Sequence, residues 1–169
     1  MIPVIETAKR AGLAGWLCLA VAIVAADQLT KLLVLASFLH GESLPVTSFF
    51  NLVLVFNKGA AFSFLAGASG WQTPLLIGIS VVAIGFEGWM LWHNRARRLL
   101  DAALTLILGG AIGNLIDRIA YGKVVDFLDF HLLGWHWPAF NVADSAICVG
   151  AVLMIAESFL HREPQAQAR

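Results

Sequence analysis

The chain has 169 residues, of which 59% are hydrophobic and only 13% charged; a water-soluble domain carries about 25% charged residues. Mean hydropathy is +0.80, so the composition is that of an integral membrane protein, and the length fits one domain spanning 1–169. Formal net charge is zero and no basic block exists, which removes the electrostatic footprint of a nucleic-acid-binding protein.

A transmembrane helix needs about 20 apolar residues at a rise of about 1.5 Å each. The first candidate covers about 11–31, with apolar sequence continuing toward 39. A cleavable signal peptide is the competing reading, with Lys9 and Arg10 as its basic region and "AIVAAD" as its cleavage site. The long apolar run, flowing through "DQLTK" into more apolar sequence, suits a retained helix better. Next comes a polar loop over about 40–70. Within it "FFNLVLVF" is rich in β-formers, "NKG" signals a turn, and "AAFSFLAG" reads as a short interfacial helix. The second span covers about 71–92 and the third about 99–120. A loop over about 121–138 separates the third from the fourth span, about 140–160. The expected fold is therefore an all-α integral membrane protein of four spans, with a small extracytoplasmic β-rich element and a short interfacial helix.

Basic residues orient the spans. Lys9, Arg10, Arg95, Arg97, Arg98, Arg162 and Arg169 flank one side, whereas the two long loops carry only Lys58 and Lys123. The positive-inside rule places both termini in the cytoplasm and the loops outside. A fifth crossing at 49–66 would break that agreement and would carry Asn51, Asn57, Lys58 and Gly59 into lipid. The tail 163–169 reads as disordered. Cys18 and Cys148 both lie in apolar runs and read as small buried hydrophobes rather than as a disulfide or metal pair.

With this topology Asp27, Gln28 and Lys31 fall toward the outer end of the first helix, and Asn114, Asp117 and Arg118 at the outer end of the third. Asn141 and Asp144 open the fourth, with Asp126 and Asp129 just before it. Glu87, Asp101 and Glu157 fall near the inner ends, where snorkelling or pairing with Arg accounts for them. Ionisable groups within spans are costly and so point to function. Each outer residue also has a local explanation. Asn141 can be an N-cap with Asp144 at N3. Asp27 can pair with Lys31 at i, i+4. Asp126 can be a loop acid beside Lys123. Arg118 can pair with Asp117, and the glycines of "GGAIGN" can serve close helix packing.

Taken together, Asp126 and Asp144 can meet where the outer loop joins the fourth helix. Two adjacent carboxylates resist double ionisation and share a proton. The ionised member can activate water while the protonated member polarises a peptide carbonyl, which is aspartic-protease chemistry. Other chemistries fit less well. No HExxH-type zinc motif exists, His131 and His136 lack a metal-site spacing, and no serine stands at a supportive spacing from a lysine.

Five blocks in order then carry a resemblance: "ADQLTK" at 26–31, "NLVLVFNKGAAFSF" at 51–64, "GGAIGNLIDR" at 109–118, "GKVVDFLDF" at 122–130 and "FNVADSAI" at 140–147. The chain resembles the lipoprotein signal peptidases, or signal peptidase II, aspartyl endopeptidases of the bacterial inner membrane. That resemblance implies removal of signal peptides from prolipoproteins just before a diacylglyceryl-modified cysteine, at the periplasmic face, with no metal or cofactor. It implies a catalytic pair at Asp126 and Asp144 and substrate or support roles at Asp27, Asn57, Gly59, Asn114, Arg118 and Asn141. Asp129 has no role in the pattern. The expected partners are the lipidated prolipoprotein and membrane lipid, and the expected state is a monomer. The alternatives are a small proton- or ion-coupled membrane transporter, whose relays also use intramembrane carboxylates, and a non-catalytic scaffold that uses Asp144 only as a cap.

Overall fold

A computed structural model describes the backbone of residues 4–59, 70–93 and 97–160, and the side chains of all these except 4–11. The expected interfacial helix at 60–67, the tail 163–169, Arg95, Arg162 and Arg169 lie outside the described residues, as do the side chains of Lys9 and Arg10.

Four helices are long and apolar enough to cross a membrane: α1 (Val4–Ser37), α2 (Gln72–His93), α3 (Arg98–Tyr121) and α4 (Val142–Leu160). The sequence-based bounds of α2, α3 and α4 hold to within two residues. Helix α1 runs past 31 to Ser37, the longer extent that the apolar sequence allowed, and Asp27, Gln28 and Lys31 lie toward that end of it. The four strands are β1 (Ser43–Pro45), β2 (Phe50–Asn57), β3 (Val124–Leu132) and β4 (Trp135–His136). They form one antiparallel sheet in the order β1-β2-β3-β4. The stretch 121–138, expected only as a loop, supplies β3 and β4. "VVDFLDF" alternates poorly, because Val124 to Phe127 are all buried, and so gave no period-2 signal.

Helix α3 is the centre of the bundle: α1, α2 and α4 all pack against it. Ala20, Leu91, Leu100, Leu104 and Leu108 form the core between them. A second core, Val34, Leu54, Val125 and Phe127, lies where the sheet rests on the last turns of α1. Outward, large apolar side chains such as Leu33, Val82, Val152 and Phe159 are exposed, as a lipid-facing surface requires. Cys18 and Cys148 are free and exposed, contrary to the expected burial. An apolar thiol has no reason to avoid the outside of a bundle whose outside is hydrocarbon.

Small residues let the helices close up. A Cβ on Gly110 would collide with the backbone oxygen of Ala143, and one on Gly150 would come within 2.8 Å of the Ala103 oxygen. A Cβ on Gly113 would stand 2.6 Å from Asp27 Oδ2. Helix α3 ends at Gly122, whose positive φ of 69° closes the turn through its N–H to the Arg118 oxygen and redirects the chain into β3. On the opposite side Glu157 pairs with Arg97 at 2.7 Å. Asp101 and Glu87 are buried, so Glu87 does not snorkel.

The packing predicts an unequal pair of substitutions. Gly110→Ala, facing rigid backbone, should cost about 1–3 kcal/mol, whereas Gly88→Ala, with open space around it, should cost nothing. Thermal unfolding in a single detergent compares them, and equal melting temperatures would show that α3 and α4 are not held at this contact.

Candidate active site

The polar residues singled out from the sequence converge from α1, β2, β3, α3 and α4 on one end of the bundle. The framework is a buried ion-pair set. Lys31 Nζ lies 2.8 Å from Asp27 Oδ2 and 2.9 Å from Asp117 Oδ2, with all three side chains essentially inaccessible. Thus Asp27 does pair with Lys31, while Asp117 turns to Lys31 as well rather than forming the local pair with Arg118. Gln28 Nε2 donates to Asp117 Oδ1, to Asp27 Oδ2 and to the Gly113 oxygen, at 3.0–3.1 Å. Each carboxylate also holds a distant backbone N–H. Asp117 Oδ2 accepts from Val125 N at 3.0 Å, docking β3 onto α3. Asp27 Oδ1 accepts from Ala143 N at 2.9 Å, at the first turn of α4.

That turn is doubly capped. Asn141 Oδ1 accepts from Asp144 N at 2.8 Å, the N-cap to N3 bond expected from sequence. Asp27 from α1 satisfies the neighbouring N–H, a task no local pattern announces. With the helix start held so firmly, the Asp144 side chain projects from a fixed point.

The two acids are joined by two amides. Asn141 Nδ2 donates to Asp126 Oδ1 at 2.7 Å, and Asn114 Nδ2 donates to Asp144 Oδ1 at 2.7 Å. Asn114 Oδ1 accepts from Lys31 Nζ at 3.2 Å and from Asn141 Nδ2 at 3.3 Å. Because lysine only donates, it fixes the Asn114 amide with its NH₂ toward Asp144. Asp126 is 3% exposed and also bonds the Asn57 side chain. Burial raises its pKa from the ordinary carboxylate value to about 7, and the nearby Asp144 raises it further, against the lowering influence of Asn141, Asn57 and Lys31. Lys123, the local partner considered for Asp126, instead lies over the Phe56 ring, 3.4 Å from its centroid.

Arg118 completes the rim. Its guanidinium donates to the oxygens of Asn114 and Gly59, each at 3.3 Å, and it lies within electrostatic reach of Asp126 and Asp144. Gly59 N donates to Asn57 Oδ1 at 2.8 Å. The end of β2 is therefore tied to α3 on one side and to Asp126 on the other. Asp129 stands apart. Burial opposes its charge, but hydrogen bonds from Asn51 Nδ2 (2.7 Å) and His136 Nδ1 (2.9 Å) hold its pKa below the usual value. It braces the sheet and does not join the pair. No group of three or more His, Cys, Asp or Glu suited to a metal ion occurs among the described residues.

Sequence reasoning passed over Lys31, Gln28 and Asp117 as site framework. The signal available was a lysine in an apolar helix with two separate aspartates placed at the same expected depth. Its i, i+4 spacing to Asp27 offered a local explanation that hid the longer contact.

Fold and site define a class: a four-span membrane protein with two linked, buried carboxyl groups at one end of the bundle, beneath a small sheet. Comparison with known proteins narrows it. Residues 19–160 match the family described as Signal peptidase (SPase) II. The lipoprotein signal peptidase of Ralstonia nicotianae is 58% identical over 146 residues, covering 86% of this chain and 84% of the relative. That of a Janthinobacterium species is 58% identical over 140 residues, covering 83% and 85%. A solved bacterial membrane enzyme superimposes with a TM-score of 0.80 at 28% identity, covering 92% of this chain and 95% of that one, and a second with 0.75 at 30%, covering 89% and 95%. The chain belongs to the signal peptidase II family, and it is a membrane-embedded aspartic-type peptidase.

The environment of Asp126 has a pH consequence. An unfolded aspartate loses its proton near pH 3.9, and Asp126 in the fold near pH 7. Between these values the native state holds a proton that the unfolded chain has released, so stability falls as pH rises through that window. Asp126→Asn should raise the melting temperature relative to wild type at pH 8, and by much less at pH 5. A difference independent of pH would show that Asp126 ionises normally.

Proposed function

We propose that Asp126 and Asp144 are the catalytic pair of an endopeptidase that cuts prolipoproteins just before the diacylglyceryl-modified cysteine. The observation that carries this reading is the joining of the two acids through Asn141 and Asn114, which holds both at one buried place. Asp126, whose burial beside Asp144 disfavours its charge, holds the shared proton. Asp144, at the N-terminal turn of α4 and accepting from Asn114, is the ionised base. The two titrate as a unit, so any observed pKa belongs to the pair.

In the reaction Asp144 takes a proton from water as the water oxygen attacks the scissile carbonyl carbon. Asp126 gives its proton to the carbonyl oxygen, and a tetrahedral diol forms. As the C–N bond breaks, the proton on Asp144 passes to the leaving amine of the cysteine and the diol returns a proton to Asp126. The products are a signal-peptide carboxylic acid and a lipidated cysteine with a free α-amino group, and the pair is back in its starting state. No metal or cofactor enters any step.

Asp27, Asn114 and Asn141 hold the acids in place, and Arg118 and Gly59 shape the end of β2. Asn57 and the described part of its segment, 44–59, clamp the extended peptide over the pair while the acyl chains stay in lipid. Both termini lie in the cytoplasm, the sheet and the acid pair lie at the periplasmic face, and the enzyme works as a monomer. The gathering of the polar residues at one end of the bundle also favours a peptidase over a proton- or ion-coupled transporter, which needs a path across.

Purified protein and a diacylglyceryl-modified prolipoprotein in lipid provide the test. Asp126→Asn and Asp144→Asn should each lower turnover by at least about 10²-fold, the scale of general acid–base catalysis, while Asp129→Asn keeps its activity. Undiminished cleavage by either of the first two would remove that residue from the mechanism. Asn57→Ala should weaken both substrate affinity and turnover severalfold; if neither moves, the clamp role is wrong.

A further inference from the structure

The β3–β4 hairpin presents an apolar surface that the acid pair does not use. Between Phe130 and Phe140 the sequence "FHLLGWHWPAF" contains no Asp, Glu, Lys or Arg. Leu133 is 98% exposed, and Leu132, Trp135, Trp137 and Phe130 are also open. A contiguous patch of this kind is rare on a surface that faces water. The turn itself is costly: Leu133 adopts φ 50° and Gly134 φ 82°, so a leucine occupies a backbone region better suited to Gly or Asn. Local chemistry would put a polar residue there.

Geometry says what covers the patch. The hairpin is pinned at its base where α4 begins. Leu128 bridges Phe140, Trp137 N donates to the Phe130 oxygen at 2.8 Å, and the Phe130 and Phe140 rings stack at 5.8 Å. Phe140 directly precedes Asn141, the N-cap of a membrane-spanning helix. The base therefore stands at the bilayer boundary. The tip at Leu133 lies five residues beyond Leu128, about 16 Å at a strand rise of about 3.3 Å per residue. A headgroup layer is about 5–8 Å deep, so the tip can reach the acyl boundary. Full insertion is opposed because β4 is an edge strand with open backbone groups. An interfacial position satisfies both, and tryptophan favours that level.

We propose that the β3–β4 hairpin is an interfacial anchor: Leu132 and Leu133 enter the acyl boundary of the bilayer that holds the helices, with Trp135 and Trp137 at headgroup level. The occupant of the patch is lipid. Asp129 couples the anchor to the sheet, since it bonds His136 on β4 and Asn51 on β2. Asp126 lies on the same strand as the anchor's first half, so the anchor sets the depth of the acid pair relative to the membrane surface. This holds whether or not that pair is catalytic.

Site-directed spin labelling tests it without any cleavage assay. Labels would be placed at Leu133→Cys and, separately, Trp135→Cys in a Cys18→Ala, Cys148→Ala background, in vesicles of phosphatidylethanolamine and phosphatidylglycerol. The expected result is loss of collision with a water-soluble nickel chelate, with access to oxygen retained, and a deeper position for 133 than for 135. Free access to nickel at 133 would place the hairpin in water and overturn the proposal. Low access to both reagents would put protein over the patch, a second copy being the simplest case, and would also overturn it. Both labels sit on exposed side chains, and retention of the wild-type melting temperature confirms the fold of each.

Discussion

A lysine buried in a membrane protein is tolerable only if its charge is answered. Lys31 is answered twice, by Asp27 on its own helix and by Asp117 on α3. Removing one member of such a set leaves a buried charge uncompensated, at about 3–5 kcal/mol, so the set behaves as a rivet between α1 and α3. Its anionic members do a second task at no further desolvation. Each also accepts a distant N–H: Asp27 takes that of Ala143 on its other oxygen, and Asp117 takes that of Val125 on the same Oδ2 that faces Lys31. The start of α4 and the start of β3 are thereby held against the same point. Those two segments carry Asp144 and Asp126.

The consequence is preorganisation at a place where mobility would be expensive. Two buried acids linked through a pair of amides keep a constant separation only on a fixed frame, which neither a loop nor a fraying helix end would provide. Here one acid sits on a strand whose far face packs into the core with Val34 and Leu54. The other sits in a helix turn capped from two directions. The two asparagines between them are oriented by donors and acceptors that can be satisfied in only one sense, with Lys31 deciding the sense for Asn114. Close approach of α3 to α4 and α1, which Gly110 and Gly113 permit, brings the groups within hydrogen-bond reach.

Lipid explains both the tolerance and the demands of the fold. Outside, the bundle shows leucine, valine and free cysteine because hydrocarbon makes no objection. Inside, hydrophobic burial drives little between helices, and small residues and satisfied polar groups take its place. The same reasoning extends to the sheet, where an apolar hairpin with one strained leucine is intelligible once a membrane surface is its neighbour.

The sequence by itself determined the four spans, because about 20 apolar residues in a row have few other uses. It determined the asparagine cap of α4, because capping is a matter of four consecutive positions. It also marked Asp126, Asp144, Asn114, Asn57 and Arg118, through their cost in an apolar chain and their place in recurring blocks. Tertiary structure decided what those marks could not carry. That Lys31 serves Asp117 as well as Asp27, that Asp27 holds the first turn of α4, and that 124–132 is a strand rather than a loop are facts of contact across 67 to 116 positions of chain. Local spacing is blind to them, because a lysine with an aspartate four residues away looks already satisfied, and a strand buried on both faces shows no alternation. Whether each polar residue is paired locally or distantly depends on which helices touch, and the glycines and buried charges settle that only once the chain has folded.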